Sequence, residues 1–329
     1  MKERILQWIN EHAGIKRMIE WAKRVSFIGF EGVPIYYVIR FFLEEIRNER
    51  LSLHASSVAF YFLLAIFPGM IFLITLIPYL PVQDFQGTMF NALNQVLPQP
   101  AYEFIRSALQ DILSNTRFDL LSSGFILAFF FSTNGVNALV KSFTRDQPIF
   151  RKRSWINRKL TVLKLTAILF LLLIFSVIFI VLGNQLIDWL TETVVSLESW
   201  AVGLISFIRW IAILLTIFTA ISFIYFYAPA TEKKWRFVNI GSTVATLLSV
   251  ISSLVFSFIV NNYNLYNEIY GSLGTLIAIT TWIYINSIAL IIGFELNLSV
   301  KYQKVVRADK VEARRRRLAK TLHPANEEE

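Results

Sequence analysis

Between Gly271 and Val300 the chain reads GSLGTLIAITTWIYINSIALIIGFELNLSV, and Glu295 is the one charged residue in it. A helix of about 20 apolar residues crosses a bilayer core. Inside that core a backbone finds hydrogen-bond partners only within its own helix. The run is therefore expected to span a membrane, and it constrains everything around it. Five more apolar runs precede it, at approximately 55–78, 121–143, 161–187, 201–227 and 238–260. With a mean hydropathy of +0.53 the chain is too apolar for a soluble domain of its length. The expected fold class is all-α: a polytopic membrane protein with six transmembrane helices.

Charge sets the expected orientation. Of 32 Lys and Arg residues, 29 fall in 1–50, 141–164, 228–237 and the tail from Lys301. With six crossings all four regions lie on one side, and the positive-inside rule makes that side, with both termini, cytoplasmic. The expected location is a bacterial inner membrane. Nucleic acid is not expected as a partner, because the basic clusters stand where insertion rules put them. Membrane lipids are, with anionic lipids meeting the basic tails, and association with further copies of the chain is left open.

Three regions follow. Residues 1–50 interleave Ile5, Leu6, Trp8 and Ile9, then Val38, Phe41, Phe42 and Ile46, with charge. That is the pattern of amphipathic segments lying on a membrane or packing beneath a bundle. No signal-peptide core stands there, so the first crossing is expected to act as an uncleaved insertion signal. Residues 51–300 form the six-helix domain, including an outer loop, 81–120, with apolar residues at helical spacing on both sides of Pro98 and Pro100. This loop is expected to form two amphipathic helices. Residues 301–329 form a basic cytoplasmic tail.

Polar residues inside the crossings are the candidate sites. Pro68 and Gly69 stand mid-way in the first crossing and predict a helix break, either a kink buried against neighbours or a discontinuous helix lining a cavity. Asn134 and Asn137 share a face of the second helix, and Lys141 continues it. They either hydrogen-bond between helices or form a polar cavity wall. Arg209 lies in the fourth helix, where it either snorkels or faces the bundle toward Asp188 or Glu268. Glu295 lies about 9 Å inside the end of the sixth helix at about 1.5 Å per residue. It is either a structural contact, to Lys141, Lys164 or Asn297, or an ion-coupling group. Asn286 completes the candidate substrate path. Tyr263, Tyr266, Glu268 and Tyr270 form an outer lip in which tyrosines are either interfacial anchors or part of an entrance.

Signatures of chemistry are missing. The chain has no cysteine, and its three histidines, His12, His54 and His323, are far apart. No nucleophile elbow, phosphate loop or zinc-protease motif occurs, and the carboxylates are scattered over both sides of the membrane. A nuclease needs acidic or histidine ligands gathered around its metal ions. The expectation is no enzyme, no catalytic residue, no metal and no cofactor.

Several stretches are nonetheless specific. HASSVAFYFLLAIFPG, STNGVNALVKSF, YAPATEKKWRFVNIGS and YNEIYGSLGTLIAITTWIYINSIALIIGFELN occur in this order over roughly residues 35–300. Together they resemble the YihY/virulence factor BrkB family, bacterial inner-membrane proteins with about six predicted helices and a historical mislabelling as ribonuclease BN. The matching positions include Pro68, Asn137, Pro229, Trp235, Gly241, Gly271, Gly274, Trp282, Glu295 and Asn297. Ala65 and Ser242 depart from it, standing where members often have Ser and Ala. The resemblance implies an envelope-associated role in transport of lipids or small solutes. The residues lead to the same expectation, a transporter or flippase-like protein with a cavity between kinked helices. The alternative is a non-transporting scaffold for envelope integrity.

Overall fold

The computed structural model describes residues 13–27, 29–48, 51–76, 118–144, 149–193, 199–231, 234–262 and 272–322. Among them the structure is helical, apart from one isolated antiparallel bridge between Phe150 and Thr231. Two short helices, α1 (Ala13–Ala22) and α2 (Ile35–Asn48), precede the membrane helices α3 (Leu51–Leu76), α4 (Phe118–Ser142), α5 (Trp155–Thr193), α6 (Ser199–Tyr227), α7 (Ile240–Asn262) and α8 (Ser272–Leu322). The last six are each long and apolar enough to cross a membrane. The expected outer-loop helices at 81–120 fall almost wholly outside the described residues.

The six long helices form a ring. Each packs on its neighbours in sequence, and α8 closes the circle against α3. At one end the ring gathers the basic residues: the start of α3, the end of α4, the start of α5, the end of α6, the start of α7 and the middle of α8. Burial is concentrated at this basic end, with Ala55, Val58, Leu139, Phe143, Val162, Leu165, Tyr225, Ala245, Phe294 and Leu298 all enclosed.

Glycine sets the two closest crossings. A Cβ placed on Gly124 of α4 would lie 3.0 Å from the Phe72 nitrogen and 3.3 Å from the Pro68 carbonyl oxygen, so α4 rests against the α3 backbone. Gly293 of α8 meets Gly241 of α7 still more closely. A Cβ on Gly293 would stand 2.6 Å from the Gly241 carbonyl oxygen and 2.8 Å from the Ala245 Cβ. Small residues let membrane helices approach in this way, where dispersion rather than water expulsion holds them together.

Of the two arrangements expected at Pro68 and Gly69, the discontinuous helix does not form: α3 is continuous through both. Proline removes one donor from the ladder, but Pro68 is buried at the α4 crossing and the helix resumes beyond it. The basic tail begins as an extension of the last crossing, because α8 continues without interruption from Ser272 to Leu322.

The crossing at Gly293 predicts the cost of adding one methyl. Gly293→Ala should lower the detergent-solubilised protein's stability by about 1–3 kcal/mol or more, since the blocking atoms include backbone that cannot rotate away. Gly69→Ala, with nothing within 4 Å of the new Cβ, should be neutral or stabilising by up to about 1 kcal/mol. Thermal unfolding followed by light scattering would reverse this account if the two variants ranked the other way.

Candidate functional site

At the centre of the basic end lies the Phe294 side chain, fully enclosed. The Phe143 ring just after α4 stacks on it at 4.2 Å and 7°, and Trp235 from the α6–α7 turn covers it at 5.4 Å and 24°. Phe150 approaches at 6.5 Å, and Tyr225 of α6 sits 5.9 Å from Phe143. The Tyr225 hydroxyl donates to the Leu290 carbonyl across the bundle at 2.6 Å. Helices α6 and α8 and the connections that follow α4 and α6 thus meet in one aromatic plug.

Polar clasps hold the plug in place. Asn239 caps α7: its side-chain oxygen accepts from the Ser242 N–H at 2.8 Å, and the Ser242 hydroxyl lies 3.3 Å from the Asn239 N–H. This is the reciprocal arrangement of a capping box. Asn297 of α8 accepts from the Gly241 N–H at 2.8 Å and donates to the Asn239 side chain. The close glycine crossing makes that bridge possible. On the other side Arg153 donates to the Tyr227, Ala228 and Pro229 carbonyls at 3.4, 3.3 and 3.3 Å. It thereby satisfies carbonyls at the α6 C-terminus that have no helical partner. The Arg151 N–H adds a bond to the Ala230 carbonyl at 2.7 Å. Lys164 and Lys234 stand over the Tyr227 ring at 4.4 and 5.6 Å, outside the plug.

A lid formed by the loop between α1 and α2 lies beneath. Phe30, Val33, Ile35 and Val38 pack with Val300 of α8, and Val25, Ile240 and Leu296 cover their edge. The loop turns through Gly29 and Gly32, with φ of 97° and 80°, and through Glu31 at 49°. A non-glycine residue there costs about 1–2 kcal/mol, and the contacts of Glu31 offset that cost. Its carboxylate accepts from Lys301 and, at 2.6 Å, from Lys304. Burial raises the carboxyl's pKa, but the two ammonium groups outweigh it and hold the group below the usual carboxylate value. A cleft of about 120 Å³ lies between this loop, Trp235, Arg236, Asn239 and Asn297.

The sequence candidates fare unequally. Glu295 is fully enclosed at the level of the plug, and its backbone carbonyl accepts from the Ser299 hydroxyl at 2.7 Å. Asn297 anchors α7. Lys141 and Lys164, the expected cations for Glu295, have exposed side chains. Asn286 is half-buried and donates to the Trp282 carbonyl of its own helix at 2.9 Å. Asn134 and Asn137 are also half-buried, in a stripe with exposed Ile126, Phe130 and Lys141. The Asn137 side-chain oxygen is enclosed with no hydrogen-bond partner among the described residues. Arg209 is a helical residue of α6 whose side chain lies outside the described residues, as do Tyr263, Tyr266, Glu268 and Tyr270.

With this geometry in hand, comparison with known proteins decides the family. The family model described as Virulence factor BrkB matches residues 42–318. The chain belongs to that family. Among relatives, the Bacillus subtilis protein named Putative ribonuclease-like protein YfkH is 31% identical over 272 residues, 80% of this chain and 96% of its own length. A UPF0761 membrane protein of Vibrio campbellii is 26% identical over 270 residues, 79% of this chain and 81% of that one. A UPF0761 membrane protein of Chlorobium limicola is 27% identical over 285 residues, 82% of this chain and 60% of its own. No solved structure matches the chain. The family match ends at Leu318, inside the α8 extension, and leaves α1 and Glu31 outside.

The lid should respond to acid. A carboxyl whose folded pKa is depressed stabilises the folded arrangement above its unfolded pKa, about 4.3 for Glu, and loses that contribution as pH falls through the folded value. Hydrogen exchange in residues 23–38 should be slow at neutral pH and accelerate below about pH 4, whereas Glu31→Gln should exchange fast throughout. Equal protection in wild type and Glu31→Gln at pH 7 would show that the ion triad does not hold the lid.

Proposed function

We propose that the protein moves a lipid or a small solute through the centre of its helix ring, with the aromatic plug as the closed gate. One observation carries this reading. Among residues with described side chains, α5 past Thr166, α6 before Ile221, α7 past Ser249 and α8 before Ile283 contain no buried residue, whereas the same helices are enclosed at the basic end. Among the described residues these four helices are enclosed at the basic end and looser beyond it, while α3 and α4 stay packed on each other through Phe72, Gly124 and Ala128. The exposed side chains of that looser half are apolar, among them Leu171, Leu173, Phe175, Leu214 and Leu254, a surface that suits an acyl chain better than a bare ion. Fully buried Ser222, whose hydroxyl has no hydrogen-bond partner among the described residues, stands about one helical turn from Tyr225 on the open side. It is the nearest candidate contact for a polar group above the plug.

The same reading places the protein in the bacterial cytoplasmic membrane with both termini and the plug inside. The support is the concentration of Lys and Arg at the plug end. Its partners are membrane lipids rather than nucleic acid. It assigns no nuclease chemistry, although a relative's name contains the word ribonuclease. Among the described residues no three His, Asp or Glu side chains come close enough to hold a metal ion. A scaffold remains the second reading. Its support is the α8 extension, which carries Lys and Arg beyond the bundle to Leu322.

Proteoliposomes separate these readings. Vesicles with the protein should transfer a fluorescent phospholipid or take up a small solute faster than empty vesicles. An aromatic stack contributes about 1 kcal/mol beyond burial, so Phe294→Ala should raise the rate by about fivefold. If neither protein differs from empty vesicles with lipids and solutes alike, transport falls and the scaffold stands. Cleavage of RNA by the purified protein with magnesium or manganese would overturn the non-enzymatic reading.

A further inference from the structure

We propose that α1 is a membrane-surface anchor, whose exposed apolar face enters the headgroup region of an anionic bilayer beside the basic end of the ring. Met18 and Trp21, three residues apart on one face of α1, are 63% and 54% exposed, and Phe27 just beyond it is 54% exposed. Three large apolar side chains turned outward within ten residues are unusual for a helix that ends on an otherwise well-packed loop. Lys16, Arg17, Lys23 and Arg24 are exposed around them, with Glu20 as the only acid between Lys16 and Phe27. Large apolar residues ringed by basic ones make up the composition of helices that lie in a lipid interface.

Position selects the bilayer as the occupant. The Val25 carbonyl accepts from the Ile35 N–H at 3.0 Å, and Val25 packs on the cluster that includes Val300 and Ile240. Ile240 is the first residue of the membrane-crossing α7. The end of α1 is therefore held at the mouth of the ring, where the surface of the same membrane lies. In contrast to α1, α2 turns Val38 inward, stacks Phe41 on Tyr302 at 4.5 Å and sets Tyr37 4.9 Å from Arg307. Of the two amphipathic helices, α2 is packed on α8 by these contacts while still exposing Ile39 and Leu43, and α1 turns Met18 and Trp21 outward. A second protein with an acidic, apolar surface would match the same side chains, but the bilayer is already at that level.

The absence of cysteine from the chain makes a site-specific test direct. The full-length Met18→Cys protein is labelled with an environment-sensitive fluorophore and placed in nanodiscs of phosphatidylcholine, with or without phosphatidylglycerol. Bilayer contact predicts a blue shift in the anionic discs and quenching by lipids that carry a nitroxide near the headgroup. One basic residue near an anionic surface is worth about fivefold in partitioning, so adding Lys23→Gln should lower the ratio of inserted to free α1 by about that factor. Neither change should alter the thermal stability of the ring. A probe that reports water in both lipid compositions overturns the proposal. So does a blue-shifted probe that lipid nitroxides fail to quench, because the face is then covered by protein, whether another part of this chain, a second copy or a different partner.

Discussion

The contact between the Gly241 and Gly293 backbones fixes the spacing on which the basic end depends. With α7 and α8 this close, the Asn297 side chain reaches the first turn of α7 and bonds both the Gly241 N–H and Asn239. That bridge determines where the 235–240 turn lies, and the turn carries Trp235 over Phe294. Gly293 and Phe294 are consecutive, so one stretch of α8 offers its smallest residue to α7 and its largest to the centre of the ring. A side chain at position 293 would therefore disturb both the helix crossing and the plug.

Much of this was legible in the sequence because membrane physics leaves few alternatives. Six apolar runs separated by charged or polar segments can only be six crossings, and the helices match the expected spans at most ends within a few residues. The capping box was written in order, Asn239 then Ser242 three residues later. Ser242, noted only as a departure from the family pattern, supplies the returning hydroxyl. Among the described residues, Gly293 and Gly124 are where helix backbones touch. A glycine in an apolar run is visible, but its partner across the interface is not.

The plug itself was not legible. The chain contains 29 phenylalanines, and a membrane helix is apolar on both its lipid and its protein faces, so periodicity cannot distinguish Phe294 from a lipid-facing ring. Asn134 and Asn137 share a face, as their spacing requires, together with exposed Phe130 and Lys141. At Pro68 the sequence left a buried kink and a discontinuous helix both open, and the helix is continuous there. The local cost of one missing hydrogen bond is modest beside the packing of α3 against the Gly124 backbone, so the helix continues. Glu31 gave no signal at all, because its two lysines lie some 270 positions away in sequence.

Continuity of α8 ties these parts into one mechanical unit. Phe294, Asn297, Lys301 and Lys304 occupy successive turns of a single helix that continues to Leu322. An α-helix transmits axial shifts and rotations over such distances because changing its length requires breaking backbone hydrogen bonds in sequence. A displacement of α8 large enough to unstack Phe294 from Phe143 therefore moves the two lysines as well. Either Glu31 follows, carrying the loop and its apolar cluster away from Ile240, or the ion triad separates and a half-buried carboxylate loses both its partners. In either case unstacking Phe294 from Phe143 disturbs the lid, by moving its loop or by breaking its ion triad. The constraint resides in α8 rather than in any residue of the ring's interior.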